Sequence, residues 1–129
     1  MRRQQLVHTA FMGLLLSGIL LSCTYDELSP KKTIVPDVAT FSADIIPILN
    51  ANCNAGPCHS NGGQRPNLSE AGAYTSLILS GWVDPEIDKE DPENSSLYQK
   101  VSNGSMKIYL TDQERAIILK WIELGAENN

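Results

Sequence analysis

The clearest periodicity in the chain lies near its C-terminal end. There Ile117, Trp121 and Leu124 recur at helical spacing, with Ile118 and Ile122 beside them. Such a stripe predicts an amphipathic helix with one broad apolar face. Thr111-Asp-Gln-Glu114 forms a capping box at its start, and Gly125 is placed to stop it. Further back the apolar groups are shorter. Phe41 opens the ordered part, and Asp44 is expected to cap a short helix holding Ile45, Ile46, Ile48 and Leu49, with Pro47 in its tolerated first turn. Ala71 to Leu79 suits a second short helix, with Gly81 beyond its end. Trp82 to Asn94 reads as a loop, interrupted by Pro85 and Pro92 and rich in acids. Ser95 or Ser96 then caps a helix through Leu97, Tyr98 and Val101, and Asn103-Gly104 marks a turn. No stretch alternates as a strand would, so the expected fold class is all-α.

The first residues follow a different logic. Arg2 and Arg3 precede an apolar run from Ala10 to Leu21, twelve residues long. A membrane-spanning helix needs about 20 residues, so the run reads as the core of a signal peptide. It ends in Leu20-Leu21-Ser22-Cys23, which resembles a bacterial lipobox. That resemblance implies cleavage before Cys23 and a lipid on its sulfur; the plain alternative is an ordinary signal peptide with a spare thiol. Tyr25-Asp26-Glu27 places acids just after the anchor, as in sorting signals of some outer-membrane lipoproteins. Thr24 to Thr40 is polar, carries Pro30 and Pro36 and shows no periodicity, which suits a tether. The expected organisation is therefore a signal peptide over 1–22, a lipidated cysteine and tether over 23–40, and one domain over 41–129. The expected location is a bacterial membrane reached through the lipid, on the periplasm-facing side of the outer membrane.

Cleavage alters the charge. The whole chain has a formal net charge of −5. Without Arg2 and Arg3, eight Lys and Arg face 15 acids, giving −7. No basic patch survives, which argues against nucleic acid as a partner. Export also places the cysteines where they can be oxidised or covalently occupied.

Few, short helices make a thin core for about 90 ordered residues, where stability is marginal. A large buried cofactor would repair that deficit. Cys53-Asn-Ala-Gly-Pro-Cys58-His59 is where one could attach. The common haem-attachment signature is C-x-x-C-H, and this spacing is C-x4-C-H. In such a site each cysteine sulfur adds to a haem vinyl group, and the adjacent histidine is carried under the iron. Two extra residues can loop outward at Gly56-Pro57. The competing readings are a Cys53–Cys58 disulfide with His59 merely exposed, and a zinc site, which lacks a fourth strong ligand.

The surroundings carry a resemblance. Phe41-x-x-Asp44-Ile45-x-Pro47-Ile48-Leu49 leads into the cysteines. Downstream come Asp91-Pro-Glu-Asn-Ser-Ser-Leu97-Tyr98-x-x-Val101, then Met106, Leu110-Thr111-x-x-Glu114 and Ile118-x-x-Trp121-Ile122-x-x-Gly125-Ala126. In this order the series resembles small single-haem cytochrome c domains of bacterial exported proteins, over roughly Phe41 to Asn129. The resemblance implies a cytochrome c-like fold of short helices and loops around one covalent haem c. It implies Met106, the one methionine after the signal peptide, as second axial ligand to iron opposite His59; otherwise Met106 is a core filler. Such domains often carry proline after that methionine, and here Lys107 stands there, so the loop is expected to be less rigid. Pro66-Asn67-Leu68 resembles the Pro-x-Leu of many cytochromes c, where the proline carbonyl accepts from the ligating imidazole and the leucine packs on the ring. Otherwise it is a loop with one buried leucine.

The expected function is then electron transfer by a carrier, not an enzyme, exchanging electrons with a redox partner protein. His59 is the one histidine after the signal peptide, so no Ser-His-Asp set is available. A haem-free binding or structural lipoprotein stapled by a disulfide is the first competitor, and a haem-based sensor or small peroxidase the second. Trp121 is read as pocket wall or helix core, and Trp82 and Tyr98 as packing. The acids from Asp84 to Glu93 either steer a basic partner or are simply solvated.

Overall fold

Thr40 begins the helical part of the domain, four residues earlier than the cap expected at Asp44. Its hydroxyl accepts from the Ala43 N–H (3.3 Å). Asp44 answers by accepting from the Thr40 N–H (2.7 Å) and hydroxyl (3.0 Å). Asp44 is thus the far member of a reciprocal capping pair rather than the cap itself. The computed structural model describes residues 32–129. The signal peptide, Cys23 and the first part of the tether lie outside the described residues.

Phe41–Ile45 forms a π-helical turn, followed by α1 (Ile46–Asn52), α2 (Ala73–Leu79), a 3₁₀ turn (Pro92–Asn94), α3 (Ser96–Ser102), a second 3₁₀ turn (Lys107–Tyr109) and α4 (Asp112–Glu123). Four α-helices and no strand occur among the described residues, so the fold is all-α. No helix among them is long and apolar enough to cross a membrane.

Local chemistry explains most boundaries. Pro47 sits in the first turn of α1, where its missing N–H is not needed. α2 starts two residues later than expected, because the N–H groups of Gly72 and Ala73 both bond to the Ser69 carbonyl in a preceding turn. Ser95 is the cap of α3. Its buried hydroxyl accepts from the Tyr98 N–H (3.2 Å) and donates to the Pro92 carbonyl (3.0 Å). The capping box of α4 forms in full between Thr111 and Glu114. Its C-terminus closes with Gly125 at φ +94° and the Ala126 N–H on the Trp121 carbonyl (2.9 Å), a Schellman arrangement.

The core is built on α4 and the π turn. Trp121, Ile118 and Ile122 are buried, whereas Leu124, expected on the same stripe, is 45% exposed. Phe41 packs between Tyr74 (5.2 Å, edge-to-face) and Trp121 (5.3 Å). The Trp121 indole N–H donates to the Glu127 carbonyl (2.9 Å). Trp121 is therefore helix core. The C-terminal residue returns to the start of the domain: Asn129 accepts from the Phe41 and Ser42 N–H groups.

Order also reaches back into the expected tether. Ala39 is buried, and the Gln113 side-chain amide bonds both the N–H and the carbonyl of Ile34. The acidic loop is used locally. Asp84 accepts from the Glu86 and Ile87 N–H groups, Asp88 from the Asp84 N–H, and Asp91 from the Asn94 amide. Three of its six acids thus hold turns in place.

Candidate functional site

The site grows from the end of α1. The Cys53 N–H makes the last helical bond to Leu49, and the chain then loops outward through Gly56, whose φ of +43° is a conformation that suits glycine. The Cys58 N–H bonds to the Ala55 carbonyl (2.9 Å), and the His59 N–H returns to the Cys53 carbonyl (3.0 Å). This last bond closes the widened C-x4-C-H loop, so the two additional residues bulge away and His59 still lies beside the helix end. Gly63 is needed nearby: a Cβ there would come within 2.4 Å of the Cys58 carbonyl oxygen.

His59 is fixed from two sides. Its carbonyl accepts from the Leu68 N–H (2.7 Å), and its Nδ1 lies 3.1 Å from the Pro66 carbonyl oxygen. A carbonyl only accepts, so Nδ1 must carry the proton; in the neutral ring Nε2 then holds the lone pair. The Pro66 contact expected from the sequence is present.

These residues line one cavity of about 490 Å³, within the range of small-molecule and cofactor sites. Leu49, Asn52 and Cys53 come from the end of α1, and Cys58, His59, Pro66 and Leu68 from the loop after it. α3 contributes Leu97, Lys100 and Val101, the following segment Ser105, Met106, Tyr109 and Leu110, and α4 contributes Ile118. Cys53, Cys58, His59, Met106, Pro66 and Leu68, all predicted from sequence, thus meet at one wall-to-wall space. Trp82 joins them, and Trp121 does not. Cys23 lies outside the described residues.

Charge in the cavity runs against the chain's overall balance. Arg65 and Lys100 line it and no carboxylate does, although the chain carries 15 acids. The polar residues missed by sequence reading are Asn52, Gln64, Arg65, Lys100, Ser105 and Tyr109. A scan for cations between the predicted ligands could have found two of them. Among the described residues no three His, Cys, Asp or Glu side chains converge as a metal-binding group. One imidazole with one thioether is a different donor set.

The two thiols differ. Cys58 is exposed and Cys53 half-buried, and neither is in a disulfide. Burial, reinforced by the nearby Glu114 carboxylate and by Cys58, pushes the Cys53 thiol up to about 11. Glu114 itself anchors α4 to this corner, accepting from the Asn52 amide (2.7 Å) next to Cys53.

The residues present fit a haem: an apolar wall for the macrocycle, two thiols at one edge, an imidazole and a thioether as iron donors, and cations for its carboxylates. Comparison of the chain with family models, with curated proteins and with solved structures finds no match.

Proposed function

We propose that the domain is a c-type cytochrome, an electron carrier with one covalent haem. The observation that carries this reading is the convergence of Cys53, Cys58, His59 and Met106 on one apolar cavity, with His59 Nδ1 committed to the Pro66 carbonyl. Bound there, the haem supplies a one-electron couple of its iron. Cys53 and Cys58 would hold it as thioethers, which takes both neutral thiols through addition to its vinyl groups. His59 would offer Nε2 to the iron, with the Pro66 carbonyl fixing the tautomer and orientation of the ring. Met106 would offer its sulfur as a second donor, soft and neutral, which raises the potential relative to stronger donors.

The remaining wall is largely apolar. Leu49, Leu68, Leu97, Val101, Leu110 and Ile118 supply apolar surface against which a macrocycle would pack. Arg65 and Lys100 would pair with the carboxylates of the haem. Cys23, acylated, would hold the domain at the periplasmic face of an outer membrane, within reach of a redox partner protein. Electron carriage accounts for these residues without a substrate site, and the reading is of a carrier rather than an enzyme.

The test is a visible spectrum of the exported protein made in a host competent for cytochrome c maturation. Dithionite and ferricyanide should interconvert two haem spectra reversibly. A colourless protein containing a Cys53–Cys58 disulfide would defeat the proposal.

A further inference from the structure

The turn around Met106 is held by long backbone bonds and carries no proline. The Met106 N–H reaches the Lys100 carbonyl at 3.3 Å, Lys107 N–H the Gly104 carbonyl at 3.2 Å, and Leu110 N–H the Lys107 carbonyl at 3.3 Å. No ring fixes φ here, so something else must hold the segment in place.

Arg115 projects back from the first turn of α4 onto this segment. Its Nη1 donates to the Lys107 carbonyl (3.2 Å) and to the Leu110 carbonyl, and its Nη2 pairs with Asp112. The side chain is only 13% exposed, while Asp112 is 78% exposed. A guanidinium is a planar fork, so one group spans both ends of the 3₁₀ turn Lys107–Tyr109 that directly follows Met106. The helix beneath it is rigidly started by the Thr111–Glu114 capping box. We infer that Arg115 is a positioning residue that pins the Met106 segment to α4 and so holds the thioether toward the cavity. This rests on the reading of Met106 as an iron ligand. Arg115 does not line the cavity, and its hydrogen bonds go to Lys107, Leu110 and Asp112.

Hydrogen bonds from a charged donor shift an equilibrium by about tenfold to a hundredfold. Loss of Arg115 should therefore favour dissociation of the Met106 sulfur by about that factor. The experiment compares cyanide affinity of the ferric matured protein, and its long-wavelength thioether-to-iron absorption band, in wild type, Arg115→Gln, Arg115→Lys, Asp112→Asn and Met106→Ala. Arg115→Gln should bind cyanide at least about tenfold more tightly and weaken the band, moving toward Met106→Ala. Asp112→Asn should stay within about twofold of wild type, because it removes only an exposed ion pair. Arg115→Lys, with one compact donor, should fall between. Urea unfolding of each variant separates general destabilisation from this local effect.

Wild-type behaviour in Arg115→Gln overturns the inference while leaving Met106 ligation intact. If Arg115→Gln does not accumulate, wild-type affinity in Arg115→Lys overturns it equally. If the wild type already binds cyanide as Met106→Ala does, Met106 is not a ligand and the underlying reading fails with it.

Discussion

Replacing Glu114 by Gln tests how the site is tied to the helix that supports it. One Glu114 oxygen accepts from the Thr111 N–H (2.7 Å) and hydroxyl (2.8 Å), and the other from the Asn52 amide (2.7 Å). A glutamine has one accepting oxygen, so its NH₂ must face either the Thr111 donors or the Asn52 donor. Loss of either set of bonds costs about 1 kcal/mol, because the Thr111 hydroxyl still caps the residue-114 N–H. With about 1 kcal/mol lost and a urea m-value of about 1.5 kcal/mol/M, the unfolding midpoint should fall by about 0.7 M at pH 7. The pH dependence gives a second check. Burial raises the Glu114 carboxyl, but bonds from the Thr111 backbone and side chain and from Asn52, with the charge of Arg115, outweigh it and leave the group below its ordinary value. A depressed folded-state value stabilises above the unfolded value, about 4.3, and that stabilisation is lost as pH falls through the folded one. Wild type and Glu114→Gln should therefore converge below about pH 4. Equal midpoints at pH 7, or an undiminished gap at pH 3, would refute the reasoning.

Three further outcomes follow from the geometry. Ser95→Ala removes a buried cap that both accepts and donates. It should cost about 1–2 kcal/mol in urea unfolding, and a loss below about 0.5 would show that α3 does not need it. In the chain made without haem, a Cys53 thiol at about 11 is thiolate in only about one molecule per thousand at pH 8. Iodoacetamide labelling of Cys53, followed by peptide mass, should accelerate about tenfold per pH unit up to pH 10, and a flat profile contradicts the burial argument. Arg65→Gln with Lys100→Gln should abolish a preference of about tenfold for mesoporphyrin over its dimethyl ester, read by quenching of the Trp82 on the cavity wall. Equal binding of diacid and ester by the wild type counts against the role of these cations.

What the sequence disclosed was what is local. Thr111 and Glu114 lie three residues apart and form their box with no help from the rest of the chain. Ser95 capped α3 for the same reason. The cap at Asp44 was misplaced because the first turn is a π turn whose exposed N–H groups are taken by Asn129, at the far end of the chain. No short window contains that partner. Leu124 continued the helical stripe by spacing but escapes the core because Gly125 turns the chain just after it. Trp121 could not be divided between pocket and core until Phe41 and Glu127 were seen beside it. At the site, the residues that meet at the cavity and the Pro66 carbonyl contact were legible because their chemistry is written in few residues. Arg65 and Lys100 come to one cavity only through the fold, whereas Arg115 bonds within eight residues of itself, to carbonyls that carry no side-chain signature in the sequence.

The account stands most directly on whether Cys53 and Cys58 each hold the cofactor. The intact mass of the exported protein, from a host competent for cytochrome c maturation, should exceed that of the processed chain by one haem. The increment should survive acid acetone, and peptide mapping should place it across Cys53 and Cys58. A mass equal to the processed chain alone, or a haem that acid acetone removes, would contradict the assignment.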